Sequence, residues 1–201
     1  MRLQHFPLAQ TVIENKIRSY ASRKRPCVPN LATIQFLKAR IHPHEQLYYV
    51  TFQDTSEQQW FFTYFLSQLS DGSWYIASGS GSPHGPIDPP EMQQPSLPWL
   101  RIKGNSVGNA FHAGGEVIDN GFDIVRVRLV TQDGIILEDT VEDGLVLFRS
   151  ENVVIGPMQA ELYGRADNVV HNQSVFTSPL FPPSVEKVQE MLEKYRKSRD
   201  V

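Results

Sequence analysis

The chain has 201 residues, of which 40% are hydrophobic and 20% charged, a composition typical of a globular protein. Its formal net charge of −3 argues against a general binder of nucleic acid or of anionic membranes, because both need a sustained positive field. The single cysteine, Cys27, excludes an intrachain disulfide, and no apolar run suits a signal peptide or a membrane span. We therefore expect a cytoplasmic protein.

The first 80 residues predict one helix followed by an antiparallel meander. An apolar stripe at helical spacing runs through residues 11–24, and Thr11 with Glu14 forms a capping-box pattern at its start. Asp71-Gly72 is typical of a tight turn between two strands. Strand-like segments lie on both sides of that turn, at residues 32–41, 47–52, 59–69 and 74–77.

Residues 59–66 are apolar on both faces of their predicted strand. One explanation is a central strand that is covered by the first helix on one face and by another layer on the other. The alternative is a curved sheet whose concave face lines an apolar pocket, as in folds that resemble the nuclear-transport-factor-2 family. The candidate pocket residues are the aromatic side chains Trp60, Phe62, Tyr64 and Trp74.

A Gly/Ser-rich stretch that begins at Ser78, followed by prolines, predicts a linker over residues 81–98. Residues 99–177 then read as about seven short strands separated by Asp-Gly and Asn-Gly turns, which predicts an immunoglobulin-like β-sandwich. Because Arg126 and Arg128 alternate with apolar residues, we expect them to point to solvent and to pair with acidic side chains across a hairpin. The candidate acidic partners are Glu138, Asp139 and Glu142.

Residues 178–201 predict a C-terminal helix after a run of prolines. Ser184 suits the N-cap position of this helix. The apolar side chains of one face repeat at 3-4-3 spacing: Val185, Val188, Leu192 and Tyr195. Such a short seam cannot hold an independent coiled coil. We therefore expect it either to dock on its own chain or to bind a partner, most simply in a homodimer.

The segment from Gly115 to Phe176 resembles a β module found in uncharacterised bacterial proteins. The resemblance rests on an alternating strand at 125–129, the Asp133-Gly134 turn, the turn-to-strand step at 141–148 and the return strand at 161–169. It implies a small immunoglobulin-like or transthyretin-like β-sandwich, with no catalytic residues to carry over.

No residue pattern predicts a metal, cofactor or catalytic centre. His42 and His44 with Glu45 could approach one ion, but the intervening proline favours an exposed turn. Residues 119–123 are rich in oxygen ligands but are better explained as a tight turn than as a calcium loop. Cys27 lies between prolines and has no assignable base.

The sequence therefore predicts a mainly β fold of the α+β class. The leading functional hypothesis is a non-enzymatic module, without cofactor, that binds another protein and neither nucleic acid nor membrane. The runner-up is a small-molecule binder or enzyme that uses the apolar pocket, which a cavity above ~300 Å³ with convergent polar groups would favour. We also expect the two halves to pack together, because an isolated meander would leave one apolar face of residues 59–66 in water.

Overall fold

A computed structural model of the chain describes residues 7–20, 28–83, 96–107, 110–152, 154 and 157–176. These residues form mainly antiparallel β structure with one α-helix, which confirms the β-rich class. The predicted C-terminal helix lies outside the described residues. In chain order, the elements are α1 (Pro7–Arg18), β1 (Gln35–His42), β2 (Glu45–Gln53), β3 (Gln59–Gln68), β4 (Trp74–Pro83), β5 (Trp99–Val107), β6 (Ala110–Ile118), β7 (Ile124–Thr131), β8 (Ile136–Thr140), β9 (Leu145–Ser150), β10 (Met158–Gly164) and β11 (Val169–Val175).

The first four strands form an antiparallel meander in the order β1-β2-β3-β4, the N-terminal sheet. Helix α1 covers one face of this sheet with a buried stripe at four-residue spacing: Ala9, Ile13 and Ile17. The helix begins about one turn earlier than predicted, so that Thr11 lies inside it rather than at its N-cap. The difference arises because the buried stripe starts at Ala9, and a proline at the first helical position is well tolerated.

The Ser-Gly repeat, predicted to open the linker, belongs to a strand, and residues 84–95 of the predicted linker lie outside the described residues. Strand β4 runs through the repeat to Pro83, with Gly79 opposite Tyr64 and Gly81 opposite Phe62 on β3. A Cβ at Gly79 would lie 3.0 Å from the Tyr64 ring, and one at Gly81 would overlap the Phe62 ring. The glycines therefore make room for large aromatic neighbours, a role that composition alone does not separate from flexibility.

The remaining strands form two further sheets. The middle sheet has the order β5-β6-β9, and the outer sheet has the order β11-β10-β7-β8. Both sheets contribute to one hydrophobic cluster, in which the largest fully buried side chains are Phe111, Phe148, Leu100, Leu129, Met158 and Leu162. The described residues from 99 to 175 thus contain seven strands, the number expected from the turn signals.

The hairpin β7–β8 shows how alternation places its charges. Leu129 lies opposite Leu137, and Arg128 lies opposite Glu138, across a loop that contains the Asp133-Gly134 turn. Arg126 and Arg128 both bond to Glu138, at 2.7 and 3.0 Å, which confirms that predicted pair.

The other two acidic candidates pair elsewhere. Asp139 is one position further along β8 than Glu138 and therefore faces the opposite side, where it is buried and bonds to Lys38. Glu142 lies beyond the strand and bonds to Arg40. Neither carboxylate meets Arg126 or Arg128 in the described structure.

The N-terminal sheet packs against the middle sheet through a second cluster, here called the junction: Leu47, Tyr49, Phe65, Leu145 and Leu147. Gly114 of β6 permits this approach, because a Cβ there would overlap the Thr63 hydroxyl. The two halves therefore contact each other, as the double-sided apolarity of β3 predicted.

Among the described residues, no helix has the length and apolarity that crossing a bilayer requires.

Candidate functional site

The four aromatic residues of the predicted pocket lie on the α1 side of the N-terminal sheet. Phe62 and Tyr64 are buried in the cluster beneath the helix, with ring centroids 5.5 Å apart in a stacked arrangement. Trp60 and Trp74 are half-buried at the margin of the same cluster. Phe62 and Tyr64 therefore belong to the cluster beneath the helix, and Trp60 and Trp74 pack against its margin.

A small cleft opens between the N-terminal and middle sheets, lined in part by Tyr49, Phe61, Thr63, Gly81, Arg101 and Gly114. Its volume of about 30 Å³ is about that of one water molecule and lies far below the several hundred Å³ usual for ligand sites. The Arg101 guanidinium lies 5.8 Å from the Phe61 ring centroid and ion-pairs with Glu116. Burial, together with the Glu116 carboxylate, raises the pKa of Tyr49. These polar groups thus bond mainly to one another.

Lys38 is a buried lysine at the margin of the junction, only 3% exposed. Its Nζ donates to the backbone oxygens of Thr140 and Leu145, both at 2.8 Å, and lies 2.9 Å from Asp139 Oδ2. Burial lowers the pKa of Lys38, and the Asp139 carboxylate opposes that effect. Because three acceptors take the three ammonium protons, Lys38 has no lone pair for nucleophilic chemistry and instead holds β1 to the β8–β9 hairpin.

Both carboxylate oxygens of Asp139 accept hydrogen bonds, just as the ammonium group of Lys38 is fully hydrogen-bonded. Its Oδ2 accepts from the backbone N–H of Leu147 at 2.7 Å, and its Oδ1 accepts from Arg40 at 2.5 Å. Arg40 also reaches the more exposed Glu142 at 3.3 Å. A buried ion pair in which every polar atom is bonded is a structural element that fixes register and packing.

His112 is fully buried on the face of β6 that meets β3. Its ring stacks on Phe65 with centroids 5.0 Å apart, and within the described part of the chain neither ring nitrogen has a hydrogen-bond partner. Burial lowers the pKa of His112 to about 4, so the ring is neutral at neutral pH. A sealed, neutral imidazole packs as an aromatic ring and is poorly placed to exchange protons with a substrate.

The metal candidates of the sequence do not converge. His44 lies in the predicted turn and bonds to Gln68 at 3.2 Å, while Glu45 ion-pairs with Arg149. Over the described ranges, no group of three or more His, Cys, Asp or Glu side chains could hold a metal ion. Cys27 lies outside those ranges, as do the C-terminal helix residues Val185, Val188, Leu192 and Tyr195.

An exposed aromatic side chain stands on a rigid turn at one end of the outer sheet. The turn at 119–123 joins β6 to β7, as predicted for this Asn-Gly sequence, and leaves the Phe122 side chain 39% exposed. Asp119 Oδ1 accepts from the backbone N–H of Ile124 at 2.9 Å, and its other oxygen accepts from Asp123 at 3.2 Å. Asn120 adopts the left-handed region with φ 51°. Side-chain bonds therefore fix the backbone that presents Phe122.

A second turn completes this surface. The turn at 165–168 joins β10 to β11, and its Arg165 Nε lies 3.4 Å from Asp123 Oδ2 of the first turn. Asp167 in the same turn bonds to Arg126, and Val169 just after it is 41% exposed. We call this surface the loop patch: Phe122, Asp123, Arg165, Asp167 and Val169. It combines two exposed apolar side chains with charges of both signs.

The sequence predicted the tight turn at 119–123 but did not single out Phe122. The sequence places an aromatic residue directly after Asn-Gly, at the start of a predicted strand. Strand alternation would put Phe122 on the same face as Ile124, so the alternation alone predicts a buried side chain. In the structure Ile124 takes the buried position, and Phe122 remains on the turn.

No protein-family model matches the chain, and no curated protein or solved structure is significantly similar to it. The resemblance to a bacterial β module therefore stays a prediction that rests on the turn and core residues given above.

Proposed function

We propose that this protein is a non-enzymatic module that binds another protein through the loop patch. The observation that carries the proposal is Phe122, an exposed aromatic side chain on a turn that the Asp119 carboxylate holds in one conformation. Aromatic and arginine side chains supply most of the binding energy in protein interfaces. A binding residue whose backbone is already held before contact loses less conformational entropy on association.

The strand connections support the same surface. We take the seven C-terminal strands as an immunoglobulin-like sandwich, in which the first, second and fifth strands form one sheet and the other four form the second. The two turns of the loop patch then connect the second to the third strand and the sixth to the seventh. In immunoglobulin variable domains, the corresponding loops lie at the end that binds antigen.

The buried titratable groups support a non-enzymatic role. Lys38 is held by three acceptors, and His112 is sealed from solvent. Acid–base or nucleophilic catalysis needs such groups within reach of a substrate. The loop patch offers charge and apolar area but no base–nucleophile pair.

The test is site-specific photo-crosslinking in the native host cell. A photoreactive residue replaces Phe122 in one variant and Gln132 in the control. Gln132 is also exposed but lies in the β7–β8 loop, at the far end of β7 from Phe122. We expect one discrete protein adduct from position 122 and none from position 132. Identical adducts from both positions, or none from position 122, would contradict the proposal.

A further inference from the structure

Strand β11 is the open edge of the outer sheet. It pairs with β10 on one side, with Asn172 opposite Glu161 and Ser174 opposite Gln159, and no other described strand is paired with its second side, although its Gln173 side chain contacts β5. From Val169 to Val175 it contains no lysine, arginine, aspartate, glutamate or proline. Proteins commonly protect edge strands with these residues, because an edge presents unpaired backbone N–H and C=O groups.

The other outer edges are protected in recognisable ways. On β1 the register shifts between Phe36 and Lys38, and both Lys38 and Arg40 point inward to acidic partners. Strand β8 has only five residues and includes Glu138 and Asp139. A bulge, inward-pointing charges and short length are each known devices against edge pairing.

Side chains also cap the edges of the middle sheet. The Gln173 carboxamide accepts from the backbone N–H of Leu100 on β5 at 2.8 Å and donates to its C=O at 2.9 Å. On β9, the Asp139 carboxylate accepts a hydrogen bond from the Leu147 N–H, and the Lys38 ammonium donates one to the Leu145 C=O. Strand β4 contacts β5, where Asn105 bonds to Ser78. Strand β11 differs from these edges because it carries no lysine, arginine, aspartate or glutamate and no side chain of the described residues caps its backbone.

We propose that β11 pairs with β11 of a second copy of this chain, antiparallel about a two-fold axis at Asn172, so that the two outer sheets become one continuous sheet. The unpaired backbone N–H and C=O groups along an edge strand are best satisfied by another extended backbone. The partner that binds along β11 is therefore a β-strand.

The uncharged composition of β11 favours a second copy of this chain as the source of that strand. Residues equidistant from the axis face each other in a symmetric antiparallel pair, so that a charged edge would bring like charges together. Strand β11 has no such charge, and an asparagine amide at the axis can both donate to and accept from its symmetry mate.

The experiment is sedimentation of the full-length chain over a wide range of concentrations. We expect the wild type to sediment as a dimer. Asn172→Lys and Asn172→Asp each weaken dimerisation by about tenfold or more, because like charges then face each other across the axis. An equimolar mixture of the two variants regains the dimer, because lysine then faces aspartate. Gln159→Lys places the same charge on the same exposed face of neighbouring β10, away from the edge, and leaves the dimer intact.

Three results would overturn the proposal: a wild type that is monomeric at every concentration, an Asn172→Lys variant as dimeric as the wild type, or a mixture that remains monomeric. A dimer held by another surface gives the second of these results. None of the substitutions changes a loop-patch residue, so failure here leaves the proposed protein-binding role intact.

Discussion

The margin of the junction and the outer face of the outer sheet both carry basic side chains paired with carboxylates, but at different depths. Lys38 and Asp139 are 3% and 8% exposed, and each bonds to backbone groups as well as to charge. Arg126 and Glu138 are 21% and 40% exposed and are therefore open to solvent. When one side chain of the buried pair is removed, water cannot take its place beside the remaining charge, whereas water can solvate the remaining member of the exposed pair.

The exposed network also has more internal redundancy. Arg126 and Arg128 share Glu138, and their guanidinium carbons lie 4.1 and 5.0 Å from the Tyr163 ring centroid. Tyr163 in turn donates to Glu161 at 2.6 Å. Removal of one member leaves the others with charged and aromatic partners. Depth and redundancy therefore predict a large difference between similar substitutions in the two regions.

The largest effect is expected at Lys38. Lys38→Ala leaves Asp139 buried with fewer donors and removes the ammonium donor from the Thr140 and Leu145 carbonyls, so the free energy of unfolding should fall by about 3–5 kcal/mol. Urea denaturation measures this loss. The matched control is Lys103→Ala on β5, because that lysine side chain is exposed and should tolerate truncation. Equal effects at the two lysines would show that burial does not separate the two regions.

A smaller, pH-dependent effect is expected at His112 in the junction. Its pKa is about 4 in the folded protein and 6.5 in the unfolded chain, so the unfolded state binds the extra proton between these values. Stability is therefore fully present above pH 6.5 and is lost as the pH falls to about 4, by roughly 3 kcal/mol from this residue.

The measurement is urea denaturation across this pH range for the wild type and for His112→Phe, which keeps an aromatic ring against Phe65. Subtracting the two profiles removes the contribution of carboxylates common to both proteins. The difference should appear only between pH 6.5 and 4. Parallel profiles would mean that His112 is solvated or paired in solution.

The smallest effect is expected at Arg128 on the exposed face. Arg128→Ala leaves Glu138 bonded to Arg126 and leaves Tyr163 covered by the same arginine. The unfolding midpoint in urea should therefore hardly change. A loss as large as that from Lys38→Ala would show that the outer face is packed against something that the described residues do not include.

The sequence predicted features that depend on neighbours along the chain. Alternation and Asp-Gly turns are local signals, and they predicted the meander, the seven later strands and the Arg128–Glu138 pair. The junction is not local. Lys38 and Thr140 are 102 positions apart, and nothing in the segment around Lys38 identifies it as buried.

Two individual residues show two different limits. Gly79 lies in a strand because of Tyr64 on the neighbouring strand, a contact that its own segment does not reveal. The exposure of Phe122 is decided within its own turn, because Asp123 adopts a positive φ of 53° and interrupts the strand alternation before the buried Ile124. That backbone conformation is not encoded by the alternation of apolar residues.

The most direct test of the proposed function is the affinity of the captured partner for loop-patch variants, measured by calorimetry with purified proteins. Phe122→Ala should raise the Kd by at least about tenfold while the unfolding midpoint in urea stays unchanged, because the side chain is exposed in the free protein. Gln132→Ala, at the opposite end of β7, should leave the Kd unchanged. An unchanged Kd for Phe122→Ala would contradict the account, because the residue that carries the proposal would then make no contribution to binding.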